Sequence, residues 1–176
     1  MVLTIVVCIS TILVFDVSCL PNGAHPNACV DMVPGHIPNQ ATGPAPFQIR
    51  AMPMNNGQVM VHVNATSDVD FKGFMIMAKD ESSQERGHGY FIATPDSKKI
   101  ARHMNCEGFP KSCNDPAACQ GTANALTHSS NEFKKSVTAV WTPPTQMSGH
   151  DIIFVATVVV KFDTWYEGLA SNSVLV

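Results

Sequence analysis

Seven short segments of the chain alternate apolar and polar residues or are rich in β-branched residues, the pattern of β-strands. Val59, Val61 and Val63 alternate with Met60, His62 and Asn64, which predicts one buried and one outward face for that strand. Residues 152–160 are almost continuously apolar, which indicates a long central strand. The predicted strands are residues 47–52, 58–65, 73–79, 89–93, 134–142, 151–162 and 171–176.

Two regions lack this pattern. Residues 20–46 contain six prolines and three glycines, a density that excludes a helix or a central strand and predicts an extended arm. Residues 97–130 mix a basic stretch, three cysteines and polar turns, and we interpret them as a long crossover loop. The predicted fold is therefore all-β: one immunoglobulin-like antiparallel β-sandwich with an extended proline-rich N-terminal arm.

The N-terminal segment has the pattern of a secretory signal peptide. Residues 2–15 are almost wholly apolar, and the run is too short to span a bilayer. Val17 and Cys19 occupy the −3 and −1 positions of a cleavage site before Leu20, although no Lys or Arg precedes the apolar run. We predict a cleaved signal peptide at 1–19, a mature domain at 20–176 and an extracellular location, with an uncleaved anchor or a buried helix as the alternatives.

Four cysteines remain in the predicted mature chain, namely Cys29, Cys106, Cys113 and Cys119. An even number on an oxidising route predicts two disulfides, for which sequence alone leaves three pairings open. We favour Cys29 with Cys106, which would tie the arm to the body, and Cys113 with Cys119, which would close a proline-containing turn. A zinc site is the rival interpretation, but the spacings contain no Cys-x-x-Cys pair.

Charge and hydropathy limit the classes of partner. Eleven Lys and Arg residues accompany 14 Asp and Glu residues, for a formal net charge of −3, and no basic stripe for nucleic acid is visible. No second apolar segment of membrane length follows the leader, so we expect no integral membrane segment in the mature protein. The oligomeric state cannot be derived from these features.

The sequence gives no sign of catalysis. Motifs of hydrolases and metalloproteases are absent, and Thr127-His128-Ser129 is expected to form a turn whose hydroxyls hold the backbone. No two histidines have a spacing that presents both to one metal, so we predict no catalytic residue, no metal and no cofactor. The histidines are His25, His36, His62, His88, His103, His128 and His150.

Asn64-Ala65-Thr66 is an N-glycosylation sequon. The strand alternation points Asn64 outward, so we predict a glycan there, with an unoccupied sequon as the alternative.

Five residues are candidates for ligand contact. Lys98, Lys99 and Arg102 form a small basic patch. Trp165 and Tyr166 fall near predicted loops, where large exposed aromatic side chains would indicate contact with a ligand. Packing in the core is the alternative for the two aromatics.

Several stretches together resemble the reeler domain, which stands at the start of reelin and occurs as a free-standing unit in the insect defense proteins. The similarity spans the predicted mature chain. The matching stretches are residues 23–29, 32–36, 71–74, 127–129, 141–144 and 154–159.

This resemblance implies an immunoglobulin-like sandwich, secretion into body fluid and a role in innate immunity. It further implies induction by bacterial infection, and antimicrobial activity or binding to a microbial surface component. Reeler domains also occur in ferric-chelate reductases, but the haem-binding segments of those proteins are not found here, so we expect no enzyme. The alternative is an extracellular matrix or adhesion module that binds protein or glycosaminoglycan through Lys98, Lys99 and Arg102.

Overall fold

The structure, a computed structural model, describes residues 20–35, 41–109 and 123–176, most of which belong to two antiparallel sheets packed face to face. Within those residues there are ten strands, one single-turn helix and a 3₁₀ turn at Thr145–Met147. The elements are α1 (Ala28–Asp31), β1 (Phe47–Pro53), β2 (Val59–Ala65), β3 (Gly73–Asp80), β4 (Tyr90–Ala93), β5 (Ala101–Met104), β6 (Ala125–His128), β7 (Ser136–Thr142), β8 (Asp151–Lys161), β9 (Thr164–Ala170) and β10 (Val174–Leu175).

The predicted antiparallel sandwich is confirmed. One sheet has the order β1-β2-β7-β4, and the other has the order β10-β8-β3-β6-β5, with β9 also paired to β8. All seven predicted strands are present with shifted ends. Because β8 is hydrogen-bonded on both sides and packed on both faces, its sequence is almost continuously apolar.

Two predictions were wrong. The region read as a long crossover loop, residues 97–130, contains β5 and β6, which pair with each other. Neither strand alternates, because β5 has two exposed residues side by side, Arg102 and His103, and all four residues of β6 are buried. The arm contains α1, one helical turn that follows Pro26 and ends at Met32, whose φ is 65°.

The core between the sheets follows the alternation in β2 and β7. Val59, Val61 and Val63 are at most 1% exposed, and Trp141 is fully buried. The Trp141 ring contacts Phe154 of β8 edge to face, with centroids 5.2 Å apart. The two sheets therefore meet across an aromatic contact.

A second apolar layer lies outside the six-stranded sheet. In β3, Phe74 and Ile76 face the other sheet, whereas Met75 and Met77 face away from it. Both methionines are at most 3% exposed, because α1 and the adjoining arm residues, including Met32, cover them. The arm is therefore part of the fold rather than an appendage.

Gly89 lets the backbone pass close to Trp141. The indole Nε1 donates a hydrogen bond to the His88 carbonyl oxygen at 2.8 Å, and Gly89 has a φ of 65°. A Cβ on Gly89 would lie 2.6 Å from Cε2 of Trp141. No other residue fits at position 89 without displacing the ring or the strand.

The Asp80 carboxylate joins two loops at the opposite end of β3 from Gly73. Its Oδ1 accepts hydrogen bonds from the amides of Ser82 and Ser83 and from the Ser82 hydroxyl, and its Oδ2 lies 2.7 Å from Nδ1 of His150. Burial raises the pKa of Asp80, but these hydrogen bonds outweigh it and hold the pKa well below its usual value. Ser82 contacts the carboxylate directly, so the three side chains stabilise loops and do not form a nucleophile–histidine–acid array.

Replacing Gly89 with Ala should lower the free energy of unfolding by roughly 3 kcal/mol. This figure is the sum of the cost of holding alanine in a left-handed backbone conformation and the cost of overpacking against Trp141. Gly57→Ala is the matched control, because Gly57 has a φ of 77° but nothing within 4 Å of the added methyl. That variant should lose only about 1 kcal/mol. Urea unfolding measures both, and equal losses would contradict the close packing.

Asp80→Asn should lower the free energy of unfolding at neutral pH by about 2 kcal/mol, the scale for hydrogen bonds to a charged group. Because the folded-state pKa lies below the unfolded value of 3.8, the native carboxylate contributes its full stabilisation above that pH and loses it as pH falls from there through the folded-state pKa. The difference between wild type and variant should therefore shrink in acid. A pH-independent difference, measured by urea unfolding across pH, would exclude this role.

Candidate functional site

Three connections meet at one end of the sandwich, where β2, β4 and β6 end and β3, β5 and β7 begin. We call residues 66–72, 94–100 and 129–135 the basic end. The Ser129 hydroxyl donates to the Lys99 carbonyl oxygen at 3.2 Å, and the Ser129 amide donates to that of Ile100 at 3.0 Å. These bonds fix two of the three connections to each other.

A buried lysine fixes the third connection. Lys134 is 4% exposed, and its Nζ donates to the carbonyl oxygens of Lys72, Ser130 and Glu132 at 2.8, 2.7 and 2.6 Å. Burial lowers the pKa of Lys134 to about 8. The ammonium group thus fastens residues 130–134 to the start of β3.

The fastened loop presents an aromatic ring to solvent. Phe133 is 66% exposed, and Lys72 Nζ lies 4.6 Å from its ring centroid. Lys98 and Lys99 are exposed on the neighbouring turn. Among the described residues, no carboxylate lies within 4 Å of these three lysines, whereas Lys135 is paired with Asp68 at 2.9 Å.

Acidic residues share the basic end. Four carboxylates lie in the same connections as the five lysines, namely Asp68, Asp70, Asp96 and Glu132. The local charge balance is therefore only slightly positive, and the cations act as individual contacts rather than as a strong field.

The predicted basic patch is divided by the structure. Lys98 and Lys99 lie on the β4–β5 turn, whereas Arg102 lies on β5, on the side of the sheet that the arm covers. Arg102 Nε donates to the Asn22 carbonyl oxygen at 2.6 Å. Arg102 therefore holds the arm, while the two lysines remain available for contact with a ligand.

The prediction that Trp165 contacts a ligand is wrong. It lies in β9, a strand that the sequence did not indicate, and it is 3% exposed. Tyr166 is half-buried and contacts Phe47 edge to face, with centroids 5.7 Å apart. Phe47 in turn contacts Phe71 of the basic end edge to face, so Tyr166 belongs to the core packing next to that end.

Cys29 and Cys106 form a disulfide, which is the pairing favoured from the sequence. It joins α1 to the residues after β5 across 77 positions of sequence, with the two Cα atoms 5.5 Å apart. Cys113 and Cys119 lie outside the described residues, so their pairing stays a prediction. The predicted signal peptide, residues 1–19, also lies outside them.

The Thr127-His128-Ser129 segment holds backbone groups, as expected, but it does so at the end of β6 rather than in a turn. The Thr127 hydroxyl donates to the Phe74 carbonyl oxygen at 2.8 Å and accepts from the Ala24 amide at 2.9 Å. His128 Nδ1 accepts from the Phe74 amide, and Nε2 donates to the Leu20 carbonyl oxygen at 3.1 Å. Burial lowers the pKa of His128, which favours this neutral form.

The part of the chain described here contains no group of three His, Cys, Asp or Glu side chains that could hold a metal ion. Nor does any helix of that part have the length and apolarity needed to cross a membrane. His36 lies outside the described residues.

The sequon asparagine occupies the outer face of the four-stranded sheet, as the alternation predicts. Asn64 is half-buried between Gln48 of β1 and Ser136 of β7, and its Nδ2 donates to the Ala65 carbonyl oxygen at 2.9 Å. Glycosylation at Asn64 stays a prediction.

Sequence reasoning missed Phe133, Lys72 and Lys134. The one local signal was a single phenylalanine within the charged stretch Asn131-Glu132-Phe133-Lys134-Lys135. The exposure of that phenylalanine depends on the burial of its neighbour Lys134, which donates a hydrogen bond to the Lys72 carbonyl oxygen. The sequence pattern does not reveal this contact.

Known proteins share this fold over most of the chain. The human F-spondin reeler domain superposes with a TM-score of 0.52 at 19% identity, over 78% of this chain and 92% of that one. "Putative defense protein Hdd11-like" of Samia ricini is 26% identical over all of this chain and 98% of its own length. "Putative ferric-chelate reductase 1" of Danio rerio is 28% identical over 88% of this chain, which spans only 25% of that protein.

The family model described as "Reeler domain" matches residues 27–176. That match includes both sheets and the cysteine of α1. The chain therefore belongs to the reeler domain family.

Proposed function

We propose that the protein is a secreted defence protein that binds anionic material of microbial surfaces through the basic end. The supporting relationship is the similarity to the Samia ricini defense protein along nearly the whole of both chains. The ferric-chelate reductase relative supports a shared domain only, because this chain spans a quarter of it. The disulfide between Cys29 and Cys106 agrees with an oxidising, extracellular setting.

The observation that carries the binding proposal is the rigid exposure of Phe133 beside lysines. An aromatic ring held on a fastened loop binds a partner with little loss of conformational entropy. Lys72, Lys98 and Lys99 are compact positive charges, suited to phosphate groups. Phosphate-rich envelope polymers, such as lipoteichoic acid and lipopolysaccharide, offer both anionic groups and apolar surface to this end.

Recognition is a better mechanism than membrane disruption. The whole chain has a formal net charge of −3, and the described residues contain no cationic amphipathic helix. A rigid sandwich with a few cations at one end can dock on an anionic surface, but it lacks the element that would insert into a bilayer.

The secreted, oxidised protein should bind lipoteichoic acid or lipopolysaccharide in calorimetric titration, with an affinity that falls as salt is raised. The double variant Lys98→Glu/Lys99→Glu and the single variant Phe133→Ala should each weaken binding about tenfold, the scale of a modest interface contact. Leu175→Ala is the matched control, because Leu175 is 67% exposed and lies at the opposite end of the sandwich.

If the protein binds neither lipoteichoic acid nor lipopolysaccharide, the proposal is overturned. Equal affinity of the wild type and both variants for these polymers would overturn it as well. Heparin titrated in parallel separates the adhesion alternative. Tight heparin binding that the lysine variant abolishes, with no binding to the bacterial polymers, would identify the basic end as a glycosaminoglycan site instead.

A further inference from the structure

A pocket of about 130 Å³ lies between the arm and the outer face of the six-stranded sheet. Gly73, Met75 and Val159 contribute from β3 and β8, and Ala28 and Met32 contribute from the arm. An outward sheet face beside solvent would ordinarily be polar. Here the outer face is apolar, and the arm that covers it leaves a pocket above β3 and β8.

Two of the polar side chains that line the pocket, Thr157 and His128, have partners within the protein, and the third, His25 at the rim, accepts a hydrogen bond from the Asn27 amide through Nδ1 only. The Thr157 hydroxyl donates to the Met32 carbonyl oxygen at 2.8 Å. Both ring nitrogens of His128 are hydrogen-bonded, to the Phe74 amide and the Leu20 carbonyl oxygen. Away from His25 at the rim, no lining hydroxyl or imidazole is left to bind a polar ligand, so the occupant that fits the interior of the pocket is a hydrocarbon group.

The size of the pocket limits how much hydrocarbon it holds. A dry cavity of roughly 150 Å³ in a protein core takes up one benzene molecule, so this pocket accommodates a group of about that size. Leu20 lines it while remaining 49% exposed, and His25 and Gly35 at its rim are also exposed. The pocket is thus open at one side, and a longer molecule could insert one end and extend into solvent.

Within residues 20–35, 41–109 and 123–176, the Arg102 side chain lies directly beside this opening. The Arg102 guanidinium lies over the lining residue Gly23, where an added Cβ would be 2.6 Å from Nη2. Lys161 adjoins the lining residue Phe162, but it is paired with Asp163 at 3.3 Å. Arg102 therefore makes the rim favour a negative headgroup over a positive one.

We propose that this pocket binds the hydrocarbon end of a single-chain anionic amphiphile, such as a fatty acid carboxylate. The site goes beyond the proposed function and shares no residue with the basic end, so either can fail without the other. The arm forms the roof of the site, and the disulfide between Cys29 and Cys106 fixes that roof to the sheet.

The test is a calorimetric titration of the secreted, oxidised protein with dodecanoate below its micelle concentration. We expect saturable binding at one site, and affinity that rises roughly fourfold for each methylene added from butanoate until the pocket is filled. Dodecyltrimethylammonium, which has the same tail and a positive head, should bind several-fold more weakly.

Two variants add bulk at separate residues that line the pocket. Ala24→Leu and Ala28→Leu each add three carbons from the arm, at positions that pack against the outer apolar layer. Each should weaken dodecanoate binding at least tenfold. Gln146→Phe, which adds an exposed ring at the opposite end of the sandwich, is the control and should bind as wild type does.

Thermal unfolding first establishes that each variant is folded, and the use of two separate positions keeps a result available if one is not. No saturable binding of dodecanoate, because the pocket is closed or filled by the chain itself, would overturn the proposal. Unchanged affinity in a folded pocket variant would overturn it as well. If dodecyltrimethylammonium binds as tightly as dodecanoate, the preference for a negative headgroup that we assign to Arg102 is wrong.

Discussion

The outer face of the six-stranded sheet is apolar, and the fold depends on the contact that covers it. Met75 and Met77 project from that face and are at most 3% exposed because α1 and the residues around it lie against them. Burial of each methionine is worth roughly 1.5–3 kcal/mol, so an uncovered face would cost a large part of the stability of a domain this size. The cover is held in place by the disulfide, by the hydrogen bond that Thr127 accepts from the Ala24 amide, and by the hydrogen bonds that Thr157 and His128 donate to arm carbonyl groups.

This arrangement separates two kinds of surface. The covered face leaves an apolar pocket at one place where the arm does not fill the space above β3 and β8. The basic end instead consists of loops fastened by Lys134 and Ser129, with Phe133 and three lysines facing solvent. The two proposals made above assign hydrocarbon to the pocket and anionic polymer to the basic end, which lie next to each other because Gly73 and His128 of the pocket adjoin Lys72 and Ser129 of the basic end.

The sequence predicted the parts of the fold that local alternation determines. The valines of β2 and the Val137, Ala139 and Trp141 set of β7 share one face, and each lies in the core between the sheets as expected. The strands β5 and β6 were not predicted because neither alternates between exposed and buried residues, and β9 was not predicted because it follows β8 after a turn of two residues. Trp165 was misplaced for the same reason, since a ring assigned to a loop is in fact part of a paired strand.

The residues of the candidate sites could not be predicted from the sequence, because their exposure is set by contacts between residues far apart in the chain. Phe133 is exposed because Lys134 is buried by carbonyl groups from residues up to 62 positions away. Arg102 looked like a partner of Lys98 and Lys99, yet strand pairing turns it towards the arm. The pairing of Cys29 with Cys106 could be favoured beforehand, because one cysteine lay in the arm and the other in the body.

The most direct test of the covering arm is the peroxide oxidation rate of individual methionines, mapped by peptide mass spectrometry, with and without the Cys29–Cys106 disulfide. In the wild type, Met75 and Met77 should oxidise far more slowly than Met52, which is 44% exposed on the other sheet. In the Cys29→Ala/Cys106→Ala variant, Met75 and Met77 should oxidise much faster while Met52 is unchanged. If Met75 and Met77 stay as protected in the folded variant as in the wild type, the disulfide-held arm is not what covers the sheet.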